Sequence, residues 1–208
     1  MTSYTLFGQA GGTTLTVDTS AYTMGVAFTV SQDCTLDALW WNSPAGAGSL
    51  PSQIALYQIT GAGTGTLIHN EVPSWSGAAG SGWVRAAFAS PPALTAGTHY
   101  KAAIGNFSGA SFYGGTSAYW TTGPGSAGIS NGPLSAPSNA ASVDGQDTFT
   151  TGVALAYPAT SVGANYWIDP EVTPSGYISI SQGRHNMVIA AAANSLVQGA
   201  NHAGQGAT

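Results

Sequence analysis

What this chain has least of is charge. Asp, Glu, Lys and Arg make up 5% of its 208 residues, against roughly 25% in an ordinary soluble domain. Its three cations, Arg85, Lys101 and Arg184, are scattered, and the formal net charge is −5. Nucleic acid is therefore excluded as a partner, because neutralising phosphates takes clustered Lys and Arg. An anionic membrane surface is excluded on the same ground. A single cysteine, Cys34, rules out an internal disulfide and reads as a small buried hydrophobe at the start of a strand. The longest mostly apolar run, MVIAAAANSLV from Met187 to Val197, is about half of the ~20 residues a spanning helix requires, so no membrane insertion is expected. The first cation is Arg85; with no basic segment ahead of an apolar stretch, the expectation is a chain without a secretory signal.

What the chain has instead is glycine, proline and small polar residues. There are 29 Gly and 11 Pro, so solubility rests on hydroxyls, amides and exposed backbone. Short runs rich in β-branched and aromatic residues recur between Gly, Pro, Ser and Asn clusters, which predicts an all-β domain. Predicted strands are 25–30, 35–41, 53–59, 83–88, 99–105, 148–155, 165–172 and 177–181. The economical packing is an antiparallel two-sheet β-sandwich, jelly-roll or immunoglobulin-like, over residues 1–173. Residues 174–208 read as a C-terminal extension or docking arm. Its alternating run carries Tyr177, Ile178 and Ile180, and an Ala-rich segment follows with Met187, Val188 and Ile189; these six are the candidate docking residues. Residues 121–147, with three prolines, five glycines and no period, read as a long surface loop or lid.

Patterns that carry chemistry are few. Gly128-Ile129-Ser130-Asn131-Gly132 matches the G-x-S-x-G nucleophile elbow, but that motif needs a buried strand before it and a helix after it. Here it sits in a Gly/Pro tract and Pro133 follows at once, so chance accounts for it. Gly61-Ala62-Gly63-Thr64-Gly65 lacks the Lys and the helix of a phosphate loop. The neighbouring carboxylates are Asp144 with Asp147 and Asp169 with Glu171; for glycoside hydrolysis they compete with plainer roles as turn caps. Asp144 and Asp147 could offer oxygens to calcium, although an Asx turn explains them as well. His69, His99, His185 and His202 have no zinc-ligand spacing. The expectation is no enzyme, no metal and no cofactor.

Aromatic residues are prominent, with six Trp and nine Tyr. Trp40, Trp83 and Trp167 fall in predicted strands and belong to the core or its edge. Trp75, Tyr113, Tyr119 and Trp120 fall beside loops, where a flat apolar ring with a polar tip suits a protein interface or a sugar ring. They are the candidate contact residues.

Several segments carry a family likeness in the same order along the chain. Tyr4-Thr5-Leu6-Phe7-Gly8 is an opening strand, Met24-Gly25-Val26-Ala27-Phe28 a second, and Ile54-Ala55-Leu56-Tyr57 a third. Trp83, Phe88, the Ala89-Ser90-Pro91 turn, Leu94 to Thr98 and Tyr100 follow, and Asn165-Tyr166-Trp167-Ile168-Asp169 closes the set. Together, over roughly residues 4–172, they resemble the domain-of-unknown-function family 4082. The chain departs from that pattern at Trp40-Trp41-Asn42-Ser43 and matches it only loosely at Gly109 to Tyr113. The resemblance implies a β-sandwich module of extracellular bacterial proteins and bacteriophage structural proteins, with no catalytic residues to carry over. A virion component, made in the host cytoplasm and working outside, reconciles an extracellular-looking sandwich with a missing signal. The expectation is thus a minor tail or capsid-decoration protein, homo-oligomeric, bound to other virion proteins and able to touch host surface polysaccharide. The alternative is an extracellular carbohydrate-binding module of a secreted bacterial protein.

Overall fold

The computed structural model describes residues 2–12, 14–18, 20–106 and 111–176. Within them the chain forms β1 (Tyr4–Thr5), β2 (Thr14–Asp18), β3 (Tyr22–Val30), β4 (Cys34–Ser43), β5 (Gln53–Gly61), β6 (Thr64–Glu71), β7 (Gly82–Ala87) and β8 (Ala93–Leu94). There follow β9 (His99–Asn106), β10 (Ser111–Gly115), β11 (Ile129–Asn131), β12 (Leu134–Ala136), β13 (Thr148–Thr151), β14 (Thr160–Ser161) and β15 (Ile168–Pro174). No helix occurs among the described residues. The six candidate docking residues Tyr177, Ile178, Ile180, Met187, Val188 and Ile189 lie outside them, as does the predicted strand at 177–181.

The protein is a β-sandwich. One sheet runs β1-β15-β4-β7, with β8 paired to β4; the larger runs β11-β12-β3-β9-β5-β6, with β13 on β3 and β14 on β13. A two-stranded ribbon joins β2 and β10. All pairings are antiparallel. Alternate residues point inward, as a pleated strand requires: Met24, Val26 and Phe28 from β3, Ile54 and Leu56 from β5, and Tyr100, Ala102 and Ile104 from β9 share the core with β4. Along β4 the inward set is Cys34 and Leu36, then Leu39 and Trp41. The phase changes because the pairing with β15 skips Asp37 at a β-bulge, which turns the second half of the strand over. Cys34 is buried, and desolvation raises its thiol pKa, in keeping with a packing role.

Two stretches differ from the sequence expectation. Residues 121–147 are not an open lid: β11 and β12 form a short hairpin there that adds to the edge of the large sheet through Leu134 and Ser135. Its strands are only three residues long, too short for a period to show. The second is 64–71, absent from the predicted strands, which forms β6 and pairs with β5 across a tight turn in the glycine tract 60–66.

The large sheet is also covered on its outer face. Asp144 and residues 155–159 lie over it as a strap, and Leu155 and Tyr157 pack on Ala55, Tyr57 and Ala103 in a second small core. Between the stretches of β3 paired with β12 and with β13, the Gln146 amide stands in for a backbone rung: its Nε2 donates to Ala27 O at 2.9 Å and its Oε1 accepts from Ala27 N at 3.2 Å. Beneath the strap Lys101 is fully buried and forms an ion pair with Asp144. Gly25 makes room for it: a Cβ there would lie 3.0 Å from both the Lys101 stem and the Pro158 ring.

Candidate functional site

At one end of the sandwich a groove of about 300 Å³ opens between the N-terminal segment and the 118–129 segment. Leu6, Phe7 and Gly11 form one wall, Pro124 and Ile129 the other, with Tyr119 and Trp167 between them. Phe7 meets Trp167 edge-on with centroids 5.5 Å apart, and Tyr119 meets Trp167 at 5.4 Å. Edge-to-face stacking at these distances is favourable.

The segment Asn165-Tyr166-Trp167-Ile168-Asp169 builds this end. The Asn165 side chain accepts from the Trp167 amide at 2.8 Å, an Asx turn, and Trp167 takes a left-handed φ of 56°. A bulky residue there is strained, and the surroundings hold it: its Nε1 donates to Thr116 Oγ1 at 3.1 Å. A Cβ on Gly11 would sit 2.4 Å from the Trp167 ring, and Gly11 itself has φ +99°, so glycine is required on both counts. Two residues further on, Asp169 is buried and accepts from the amides of Leu6 at 2.5 Å, Phe7 at 3.1 Å and Gln9 at 3.4 Å. Burial nonetheless wins over these donors and lifts its carboxyl to about 6.

Asp169→Ala should therefore release the groove wall. The expected result is a loss of about 3 kcal/mol, from amides left without an acceptor, with faster hydrogen exchange at Leu6, Phe7 and Gln9 than elsewhere. Unchanged protection of those amides would show that packing alone positions the wall.

The four contact candidates do not form one platform. Tyr119 lines the groove, although only 7% of it is exposed. Trp120 is 1% exposed and lies in the core against Phe7 and Tyr119, so as a contact residue it is corrected: no ring face reaches a ligand. Tyr113 is half-buried and lines a cavity of about 40 Å³ with Tyr22, Met24, Phe149 and Tyr166. Trp75 is half-buried, donates to Pro51 O at 2.8 Å and packs on Trp41. Phe7 and Trp167, which the sequence reading placed in an opening strand and in the core, are the rings that shape the groove.

The acids have structural partners. Glu171 takes a two-point contact from Arg85, at 2.8 and 2.9 Å, and the Trp40 indole at 2.6 Å. The Arg85 guanidinium holds the Glu171 carboxyl below its ordinary range. Asp144 accepts from Lys101, Tyr157 and the Gly63 amide. Asp147 is buried, with a left-handed φ of 42°, and accepts from Tyr166 N at 2.8 Å; desolvation pushes its carboxyl up to about 7. The pair thus faces a lysine and backbone amides, and no cluster of metal-ligating side chains occurs among the described residues. Ser130 of the G-x-S-x-G pattern lies on β11 beside a hairpin turn, hydrogen-bonded to Ser135, which is not the strand-turn-helix that an elbow needs.

A family model described as a domain of unknown function, DUF4082, matches residues 9–168. The chain belongs to the DUF4082 family. No curated protein matches it. In this DUF4082 domain the match ends at Ile168, so the Asx turn and Trp167 lie within it and Asp169 just beyond. The groove is therefore shaped largely by residues of the family segment, completed at its N-terminal wall by Leu6 and Phe7.

Proposed function

We propose that this chain is a non-enzymatic structural protein of a bacteriophage particle, a minor tail or capsid-decoration component displayed on the virion surface and seated against neighbouring polypeptide. The observation that carries the reading is the chemistry of the groove. Its walls are Leu6, Phe7, Pro124 and Ile129, and the Trp167 N–H is already engaged by Thr116. Such a surface suits an apolar side chain of an adjacent subunit, since aromatic and aliphatic pockets anchor protein interfaces. A sugar, which needs several hydrogen-bonding groups, finds few side chains there to supply them. The scarcity of charge supports the same reading: few desolvated charges would stand in the way of close packing between subunits.

The test is the protein content of density-purified particles from cells producing a phage that encodes the chain. The expected result is co-purification with capsid and tail proteins at a fixed stoichiometry, and an oligomer by light scattering for the isolated chain. Absence from particles sinks the reading. Absence together with retardation on a polysaccharide gel would transfer it to the carbohydrate-binding module of a secreted protein.

A further inference from the structure

The contact between Lys101 and Asp144 has the arrangement of two reactants. Lys101 leaves β9 on the outer face of the large sheet and is 0% exposed. Its Nζ donates to Asp144 Oδ2 and, at 2.9 Å, to the Pro158 carbonyl, and lies 4.5 Å from the centroid of the Tyr157 ring. The Asp144 side chain is 2% exposed. Oδ1 accepts from the Gly63 amide, in the β5–β6 turn, and Oδ2 accepts from the Tyr157 hydroxyl as well as from Nζ. A buried amine is thus pressed against a carboxyl group whose two oxygens both carry donors.

We propose that Lys101 and Asp144 condense to an intramolecular amide, a covalent bond between Nζ and Cγ that ties β9 to the strap. A plain buried ion pair, its spare lone pairs and protons satisfied by Gly63, Tyr157 and Pro158, accounts for the same contacts, and the mass of the denatured chain tells the two apart. Transfer of one proton from Nζ to the carboxylate inside the hydrogen bond gives the neutral amine that can act as a nucleophile. Burial lowers the Lys101 pKa in the same sense. The lone pair on Nζ then attacks Cγ. Charge developing on Oδ1 is met by the Gly63 N–H, a fixed donor acting at the place where the negative charge appears. Oδ2 leaves with the C–O bonding pair. It carries its own acid proton and a second proton given up by Nζ across the Nζ–Oδ2 contact, and departs as one water. Oδ1 remains as the amide oxygen.

Nothing is oxidised or reduced and no further reactant is consumed. The carboxyl of Asp147, also buried and electrostatically coupled to Lys101, supplies a second group that holds or returns a proton near neutral pH. Condensation in bulk water is uphill, but fixed neighbours in a dry pocket react with effective molarities of about 10⁵–10⁸ M.

The chain's composition makes the test simple. Trypsin has three sites, Arg85, Lys101 and Arg184, and an acylated lysine is not cut. The purified full chain, denatured, is expected to weigh one water less than its sequence. Its digest is expected to contain residues 86–184 as one cross-linked peptide in place of separate 86–101 and 102–184. Asp144→Ala should restore both the full mass and the cut after Lys101, and this readout is made on denatured protein, so it does not depend on the variant folding. Three results would overturn the proposal. The first is a full mass with cleavage after Lys101. The second is a missing water in Asp144→Ala. The third is a missing water while Lys101 is still cut, which would mark a succinimide at Asp144-Gly145.

Discussion

Replacing Lys101 with Ala should lower the unfolding free energy by about 3–5 kcal/mol, the usual cost of stranding one member of a buried charge pair. Asp144 would keep the Gly63 and Tyr157 donors while losing its counter-charge, and the space beneath Pro158 and beside Gly25 would empty. For a domain with stability on the order of 5–15 kcal/mol, this is a large share of the whole. Lys101→Met keeps the stem and should recover part of the packing loss. The double replacement Lys101→Ala with Asp144→Ala should cost less than the sum of the single changes, by about 2 kcal/mol, because neither charge is then left alone. Denaturant titration of the wild-type protein, the two Lys101 variants, Asp144→Ala and the double variant gives these numbers. A loss below about 1 kcal/mol for Lys101→Ala would mean that the strap is held by its small core alone. The direction of the effect is the same whether the two side chains are joined by charge or by a bond.

Stability should also fall as the solution is made less acidic, the reverse of the behaviour of a carboxylate in a salt bridge. Asp147 is raised to about 7 and Asp169 to about 6 by desolvation, against about 3.9 in an unfolded chain. Between those values the folded state binds protons that the unfolded state has released, so the slope of stability against pH is negative. The contribution is complete below about pH 4 and is lost as pH rises through about 7. Over the interval from about pH 5 to about pH 8 the two groups together imply a loss on the order of 3–4 kcal/mol. Glu171, lowered by Arg85, works with the opposite sign but in the window below about 4.3. Lys101, lowered by burial, adds stability with rising pH only below the ordinary lysine value of about 10.4. Midpoints of urea unfolding at several pH values measure the slope, and Asp147→Asn should remove the larger part of it. A flat profile in the wild-type protein would show that Asp147 reaches solvent in the folded state.

The alternation of apolar residues made the main strands legible, because each has one face on a dry core: Met24, Val26 and Phe28 on β3 need no tertiary information to be read. The same logic fails on β4. There the bulge at Asp37 changes the inward face in mid-strand, so Trp40 and Trp41 read as equivalent although Trp41 is buried and Trp40 reaches Glu171. The ring assignments failed for a related reason. Trp120 follows a glycine- and serine-rich stretch and reads as a loop residue, but it is the loop that carries it into the core. Trp167 sits at a turn that only the Asn165 side chain creates. The Lys101 pair was hidden by its neighbours. A lysine in the alternating run His99–Asn106 reads as the polar, solvent-facing residue of a strand, and only the strap formed by Asp144 and residues 155–159 makes that face an interior. The short strands β11, β12 and β14 lack the length for any period to register.

The pairing of β15 bears on how the chain is made. This strand lies between β1 and β4, with Val172 opposite Tyr4 and Ile168 opposite Trp41, while β13 completes β3 through Thr148 opposite Gly25. The second neighbours of β3 and β4 therefore lie far along the chain from them. At about 5–20 residues per second, β3 and β4 wait on the order of ten seconds for their second neighbours. Contacts so distant along the chain are slow to form even once it is complete. For that interval the nascent sandwich is open along its apolar seams, a target for chaperones and for other copies of itself.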